Sequence, residues 1–201
     1  MKYKKPVEIH PNGFVKAILR EASATRLEIR LNYWEKRHHK VISDIHSHMW
    51  NFDSTILLGG MREESYERCR NGSKMEAIVK IVNSERQTAE ERREQIHLTR
   101  TDIVERNAGD SYSKSHDQFH RVIIPPGGEC CTIQRISKFI ADRSYFIKSD
   151  DSIFHETDSV IKYDINGLLK LVSLALEENL IAYFELEHWW RNQLEKLPKY
   201  G

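Results

Sequence analysis

The stretch that decides the fold reads His46-Ser47-His48-Met49-Trp50-Asn51-Phe52-Asp53-Ser54 and continues through Ile56-Leu57-Leu58 to Gly59-Gly60. Residues two apart on a strand point to the same face. His46 and His48 can therefore put two imidazoles into one space, about 6.5–7 Å apart along the chain. Trp50 and Phe52 share that parity, which places them either on the wall of the same space, against a substrate, or in the core. Two imidazoles so spaced suit one metal ion, and a third ligand must come from another strand.

A second cluster supplies it: Gly109-Asp110-Ser111-Tyr112, then His116, then Phe119-His120-Arg121-Val122. His120 heads a strand after a glycine-bounded turn and is the expected third ligand, with His116 as its rival. Three imidazoles accept iron, nickel, copper, zinc or manganese and leave positions open for substrate and oxygen.

Outward from these clusters, Leu27, Ile29 and Leu31 alternate with Arg26, Glu28 and Arg30, the pattern of a half-buried strand. Further short runs follow, separated by Gly59-Gly60, Asn71-Gly72, Asn107-Ala108-Gly109 and Pro125-Pro126-Gly127-Gly128. Asn71-Gly72 predicts a tight hairpin. About eight short strands with frequent turns predict a sandwich or barrel.

Three segments depart from this rhythm. Phe14, Val15, Ile18 and Leu19 have helix spacing, which predicts a short helix over roughly 13–23. The charged stretch from Asn83 to Glu94 predicts an exposed loop or short helix between strands. From Asp164 the apolar residues, among them Leu168, Leu169, Val172, Leu176, Ile181 and Phe184, recur at helical intervals. Asp164 or Asn166 is the expected cap, with a break near Glu178-Asn179. So apolar a tail should pack on the barrel or on a second subunit, which would make a homodimer.

Composition narrows the function. With 31 basic and 30 acidic residues the net charge is +1, which favours neither nucleic acid nor an anionic membrane surface. Acidic and basic residues are interspersed, as in Arg62-Glu63-Glu64, and are expected on a solvated surface. Three cysteines without CxxC spacing argue against a disulfide or zinc framework and suit a reducing cytoplasm. Adjacent Cys130 and Cys131 would face opposite sides of a strand. No run approaches 18 apolar residues and no apolar signal region follows the start, so a cytoplasmic location without a membrane span is expected.

Over roughly residues 26–140 the chain resembles the cupin superfamily. The His46-x-His48 pair, Asp53 and Gly60 resemble the first cupin motif, and Gly109 with His120 the second. A closer likeness is to thiol-dioxygenase-like cupins, through Ile56 to Gly59, Glu64, Tyr66 and His120-Arg121-Val122. The resemblance implies a mainly β, cupin-type barrel (double-stranded β-helix, or jelly roll) over residues 1–163, including the short N-terminal helix, with a C-terminal helical extension over 164–201. It implies a metal in the barrel mouth, and in thiol dioxygenases iron(II) on three histidines.

These readings converge on a mononuclear iron(II) cupin oxygenase that takes dioxygen and a small polar molecule, such as an amino acid or derivative, with nickel, zinc or manganese as alternative metals. Its alternatives are a non-redox metal-dependent lyase or isomerase and a small-ligand-binding module. His46, His48 and His120 are the expected metal ligands. Asp53 is the expected fourth ligand or a residue behind the ligands, and Tyr112 is either a catalytic phenol or a barrel-wall aromatic. Arg30, on its strand, and Arg20, on the first helix, are the arginines that could grip a substrate carboxylate bidentately.

Overall fold

The computed structural model describes residues 6–10, 12–36, 42–83, 88–148 and 164–197. It has ten strands: β1 (Val7–Ile9), β2 (Val15–Arg20), β3 (Glu28–Trp34), β4 (Ile45–His46), β5 (Phe52–Asn83), β6 (Thr88–Asn107), β7 (Ser111–Lys114), β8 (Phe119–Ile123), β9 (Cys130–Ile136) and β10 (Arg143–Ile147). Among the described residues two helices follow, α1 (Ile165–Glu177) and α2 (His188–Leu194), with a 3-10 turn at Tyr183–Glu185 between them. All strand pairings are antiparallel.

The strands form two layers that share β5. One layer runs β1-β2-β3-β9, then the first part of β5, then β7. The other joins β8, β4 and β10, bordered by later parts of β5, which β6 accompanies throughout. Between the layers lies an apolar cluster of Phe14, Trp34, Ile56, Met61, Val122, Ile124 and Cys130. This is the architecture of a cupin-type double-stranded β-helix, with the two histidine clusters brought together on neighbouring strands of the second layer.

The outer face of the first layer is apolar too. Ala17, Leu19, Ile29, Leu31, Cys131 and Ile133 pack there against Leu168, Leu169, Val172, Leu186 and Trp190 of the C-terminal region. The two adjacent cysteines do face opposite sides, Cys131 toward the helices and Cys130 into the barrel. Asp164 caps α1 by accepting a hydrogen bond from Asn166 N at 2.9 Å, and the helical run breaks at Asn179, which has φ 54°.

Three local expectations are corrected. Residues 15–20 form a strand and not a helix. Both faces of β2 are buried, Val15 and Ala17 under the helices and Ile18 toward the barrel, so its apolar residues need not alternate and mimic helix spacing. Asn71-Gly72 is not a hairpin turn: β5 continues past it, with Arg68 and Ser73 both opposite Leu98. The extra residues form a wide bulge that bends the ribbon. A Cβ on Gly72 would stand 2.6 Å from the Leu98 backbone, so glycine permits that close approach. Finally, Thr88 to Glu94 is strand, paired with Ala77 to Asn83, rather than loop or helix. It is charged because its side chains stand in solvent on the far end of the ribbon. Residues 84–87, the histidines at 38 and 39, and the 163/164 domain boundary lie outside the described residues or at their edge.

Candidate metal centre

His46 ends β4, whose neighbours are β8 on one side and β10 on the other, and its register partner on β8 is His120. His48 follows two residues later. The three side chains each offer a nitrogen, and these atoms lie within 4.8 Å of one another. His46 and His120 are buried and His48 is half-buried. Ring centroids are 4.6–5.2 Å apart in all three pairings.

The outer nitrogens are fixed by the surrounding structure. His46 Nδ1 lies 2.8 Å from the Asp44 carbonyl oxygen and so carries the proton. His120 Nδ1 lies 2.9 Å from Glu63 Oε1 and does the same. In the neutral ring each Nε2 is then the nitrogen left with a lone pair for the common space. His48 Nε2 stands 3.0 Å from His120 Nε2. Two such nitrogens tolerate that distance only with a proton or a cation between them. Two nitrogens bound at right angles to one ion, each at about 2.1 Å, would also be about 3.0 Å apart, so the donor set fits a metal.

Electrostatics agree with the donor roles. Burial first, and then the neighbouring imidazoles, hold His46 and His48 far below the ordinary 6.5, so both are neutral rings with a lone pair to give. Glu63 is 1% exposed on β5 and anchors three groups: His120, Lys114 Nζ at 2.9 Å and Arg106 Nε at 2.8 Å. Burial alone would raise its carboxyl, but the hydrogen bonds from His120 and Lys114 outweigh this and hold it at about 2. Glu63 is therefore an anion behind His120, orienting the ring and making it a better donor.

The structure distributes the other expected residues unevenly. Phe52 is buried, 5.0 Å from the His48 ring, and Trp50 stands 5.5 Å from that ring. Arg30 is buried on the inner face of β3 with its guanidinium 5.7 Å from the Trp50 centroid. Tyr112 packs against the inner apolar cluster, 6.1 Å from Phe52, and burial, with Glu63 nearby, raises its phenol so that it keeps its proton.

Two residues are not where the sequence puts them, and of the two rival histidines only His120 joins the cluster. Asp53 faces out: it is exposed and accepts a 2.5 Å hydrogen bond from Ser113 Oγ, because Phe52 takes the inward position and alternation turns Asp53 away. Arg20 pairs with Glu185 at 2.5 Å and serves the contact with the C-terminal segment. His116 binds Asn51 Oδ1 through its backbone N at 2.9 Å, and His120 holds the third position.

The residue that sequence reasoning missed is Glu63. Arg62-Glu63-Glu64 looks like a solvated run, yet both glutamates are 1% exposed. Glu63 turns to His120, while Glu64 meets Tyr66 and Arg121 at 2.6 and 2.7 Å. The available signal was parity: Glu63 stands two residues from Met61, an inward-facing core residue.

No family model matches the chain, and no curated protein does. Solved structures do. The polyketide cyclase RemF from Streptomyces resistomycificus is 14% identical over 76% of this chain and 89% of its own, with a TM-score of 0.42. Hydroquinone 1,2-dioxygenase PnpCD, solved with Cd2+ and 4-hydroxybenzonitrile, is 9% identical over 60% of this chain and 63% of its own, with a TM-score of 0.37. The Drosophila melanogaster CENP-C cupin domain is 6% identical over 62% and 69%, with a TM-score of 0.34. Such low identities concern architecture alone. Among the described residues, no helix is long and apolar enough to cross a membrane.

Proposed function

We propose that this protein is a mononuclear non-haem iron(II) oxygenase of the cupin kind, acting on a small polar molecule with dioxygen. The carrying observation is the convergence of three imidazoles, two of them buried and with their outer nitrogens tied, His46 to Asp44 O and His120 to Glu63. His46, His48 and His120 would hold the ion. Bound there, iron would supply a Lewis-acidic, redox-active centre with positions left open for substrate and oxygen.

The chain's own residues then have defined work. Asp44 O keeps the His46 proton on Nδ1, and Glu63 does this for His120, so neither ring spends its Nε2 on a proton. Phe52 and Trp50 stand against His48 and exclude water from one side of the centre. Tyr112 keeps a protonated phenol near Phe52. Arg30 supplies a fixed positive charge beside Trp50. Positioning by such preset groups is where the protein contributes most to a reaction of this type.

Oxygen consumption tests the proposal. Metal-stripped protein is reloaded anaerobically with iron(II), zinc, nickel or manganese and mixed with air-saturated buffer and a panel of amino acids, thiols and hydroxy acids. Uptake that needs iron and one class of substrate, and disappears in His120→Ala, is the expected result. Turnover with zinc or nickel and no oxygen loss would refute the oxygenase and leave Lewis-acid chemistry.

A further inference from the structure

The inner face of the first layer carries polar groups that the fold does not use. Strand register sets Asn32 opposite Thr132, and in the next row Arg30 opposite Gln134, with Ser54 beyond it on β5. Asn32 is 2% exposed and Thr132 0%, yet Asn32 Oδ1 and Thr132 Oγ1 have no hydrogen-bond partner among the described residues. The same is true of Trp50 Nε1. A polar group buried without a partner is costly, so several in one region mark a place built for something else.

Arg30 sharpens this. It is 7% exposed, and its Nε and Nη2 both donate to Gln134 Oε1, at 3.2 and 3.1 Å. Gln134 is neutral and cannot balance the charge. The Glu28 carboxylate makes only a long ion pair with Nη1, at 3.9 Å and beyond hydrogen-bond reach, and Glu8 acts through its charge alone. A buried guanidinium so weakly countered favours an incoming anion. The region is continuous with the metal centre through Trp50, which lies 5.7 Å from the Arg30 guanidinium and 5.5 Å from His48.

We infer that this polar face is the substrate's recognition subsite and that the substrate is a small hydroxylated aromatic carboxylic acid. The donors left over on Arg30, with the Trp50 indole N–H, suit a carboxylate, since one guanidinium matches one negative charge in planar, paired geometry. Asn32 Oδ1 and Thr132 Oγ1 can accept, so they suit a hydroxyl that donates. Trp50 and Phe52 beside the centre suit a flat ring. The assignment rests on the metal-enzyme reading for its place in a reaction, but the subsite is tested without metal.

Titration calorimetry on the metal-free protein uses three probes: 4-hydroxyphenylacetate, phenylacetate, which lacks the hydroxyl, and 4-hydroxyphenethyl alcohol, which lacks the charge. The first should bind best, about tenfold or more tighter than the alcohol and about fivefold tighter than phenylacetate. Arg30→Met should abolish the preference for acid over alcohol. Thr132→Val should abolish only the preference for the hydroxyl, and should raise the melting temperature of the ligand-free protein by removing an unpaired group.

Two results overturn the inference: no binding of 4-hydroxyphenylacetate to the wild-type protein, or an Arg30→Met variant that melts normally and binds the acid as tightly as wild type. A Thr132→Val variant that melts lower and keeps the hydroxyl preference overturns the hydroxyl assignment, because a buried water then serves Thr132. Failure to bind iron with these preferences intact would sink the oxygenase and spare the subsite. Iron binding without the preferences would do the reverse.

Discussion

Glu63 shows how one buried charge can serve both stability and a site. It faces His120, Lys114 and Arg106 and is itself almost inaccessible to solvent. Glu63→Gln keeps the shape and removes the charge, and should weaken metal binding about 10–100-fold in a competition titration with a chromogenic chelator. Glu63→Ala should also destabilise the fold by about 3–5 kcal/mol in urea, because Lys114 loses its carboxylate in a buried setting. Its neighbour Glu64 adds to the acid sensitivity that Glu63, held at about 2, already confers. Burial would raise its carboxyl, but Tyr66 and Arg121 outweigh that and hold it below the ordinary 4.5. A depressed carboxyl contributes stability above its unfolded value and loses it as pH falls toward the native one. Melting temperature should therefore drop as pH descends below about 4.5, and Glu64→Gln should make that acid limb shallower, Glu63 supplying the rest, while lowering stability at neutral pH. An unchanged acid limb in the variant would count against this role.

At the scale of elements, the join between β2 and the C-terminal helices is the most specific contact. β2 carries a bulge between Ile18 and Arg20, and the carbonyls freed there accept from the tail: Trp190 Nε1 to Ile18 O at 2.6 Å and Glu187 N to Leu19 O at 2.7 Å. Trp190 is fully buried. Trp190→Ala should cost about 3–5 kcal/mol in chemical denaturation, and Trp190→Phe, which keeps an aromatic ring but loses the donor, about 1–2 kcal/mol. The helical tail and its break were legible because one-sided helices show their period directly. β2 was not, because a strand buried on both faces has no alternation to read. The bulge at Asn71-Gly72 misled for a related reason: Asn-Gly suits a tight turn, and only pairing with the distant Leu98 makes it a kink in a continuing strand.

At the scale of the molecule, the first layer is a partition with one face against the helices and the other toward the imidazoles. His46 and His48 could be read as a pair because strand parity is local. Their meeting with His120 requires β4 to pair with β8, which spacing suggests and only the fold supplies. The charged partner behind His120 was hidden in a run that looked solvated, and the unpaired polar face near Arg30 exists only once β3, β9 and β5 lie side by side. The central claim is that the three imidazoles hold one metal ion. Elemental analysis of freshly purified protein beside its His46→Ala/His48→Ala variant tests it most directly. The account predicts about one equivalent of a transition metal, iron foremost, in the wild-type protein and none in a variant that still melts cooperatively. Equal metal in both, or none in the wild type even after anaerobic reconstitution with iron(II), would contradict it.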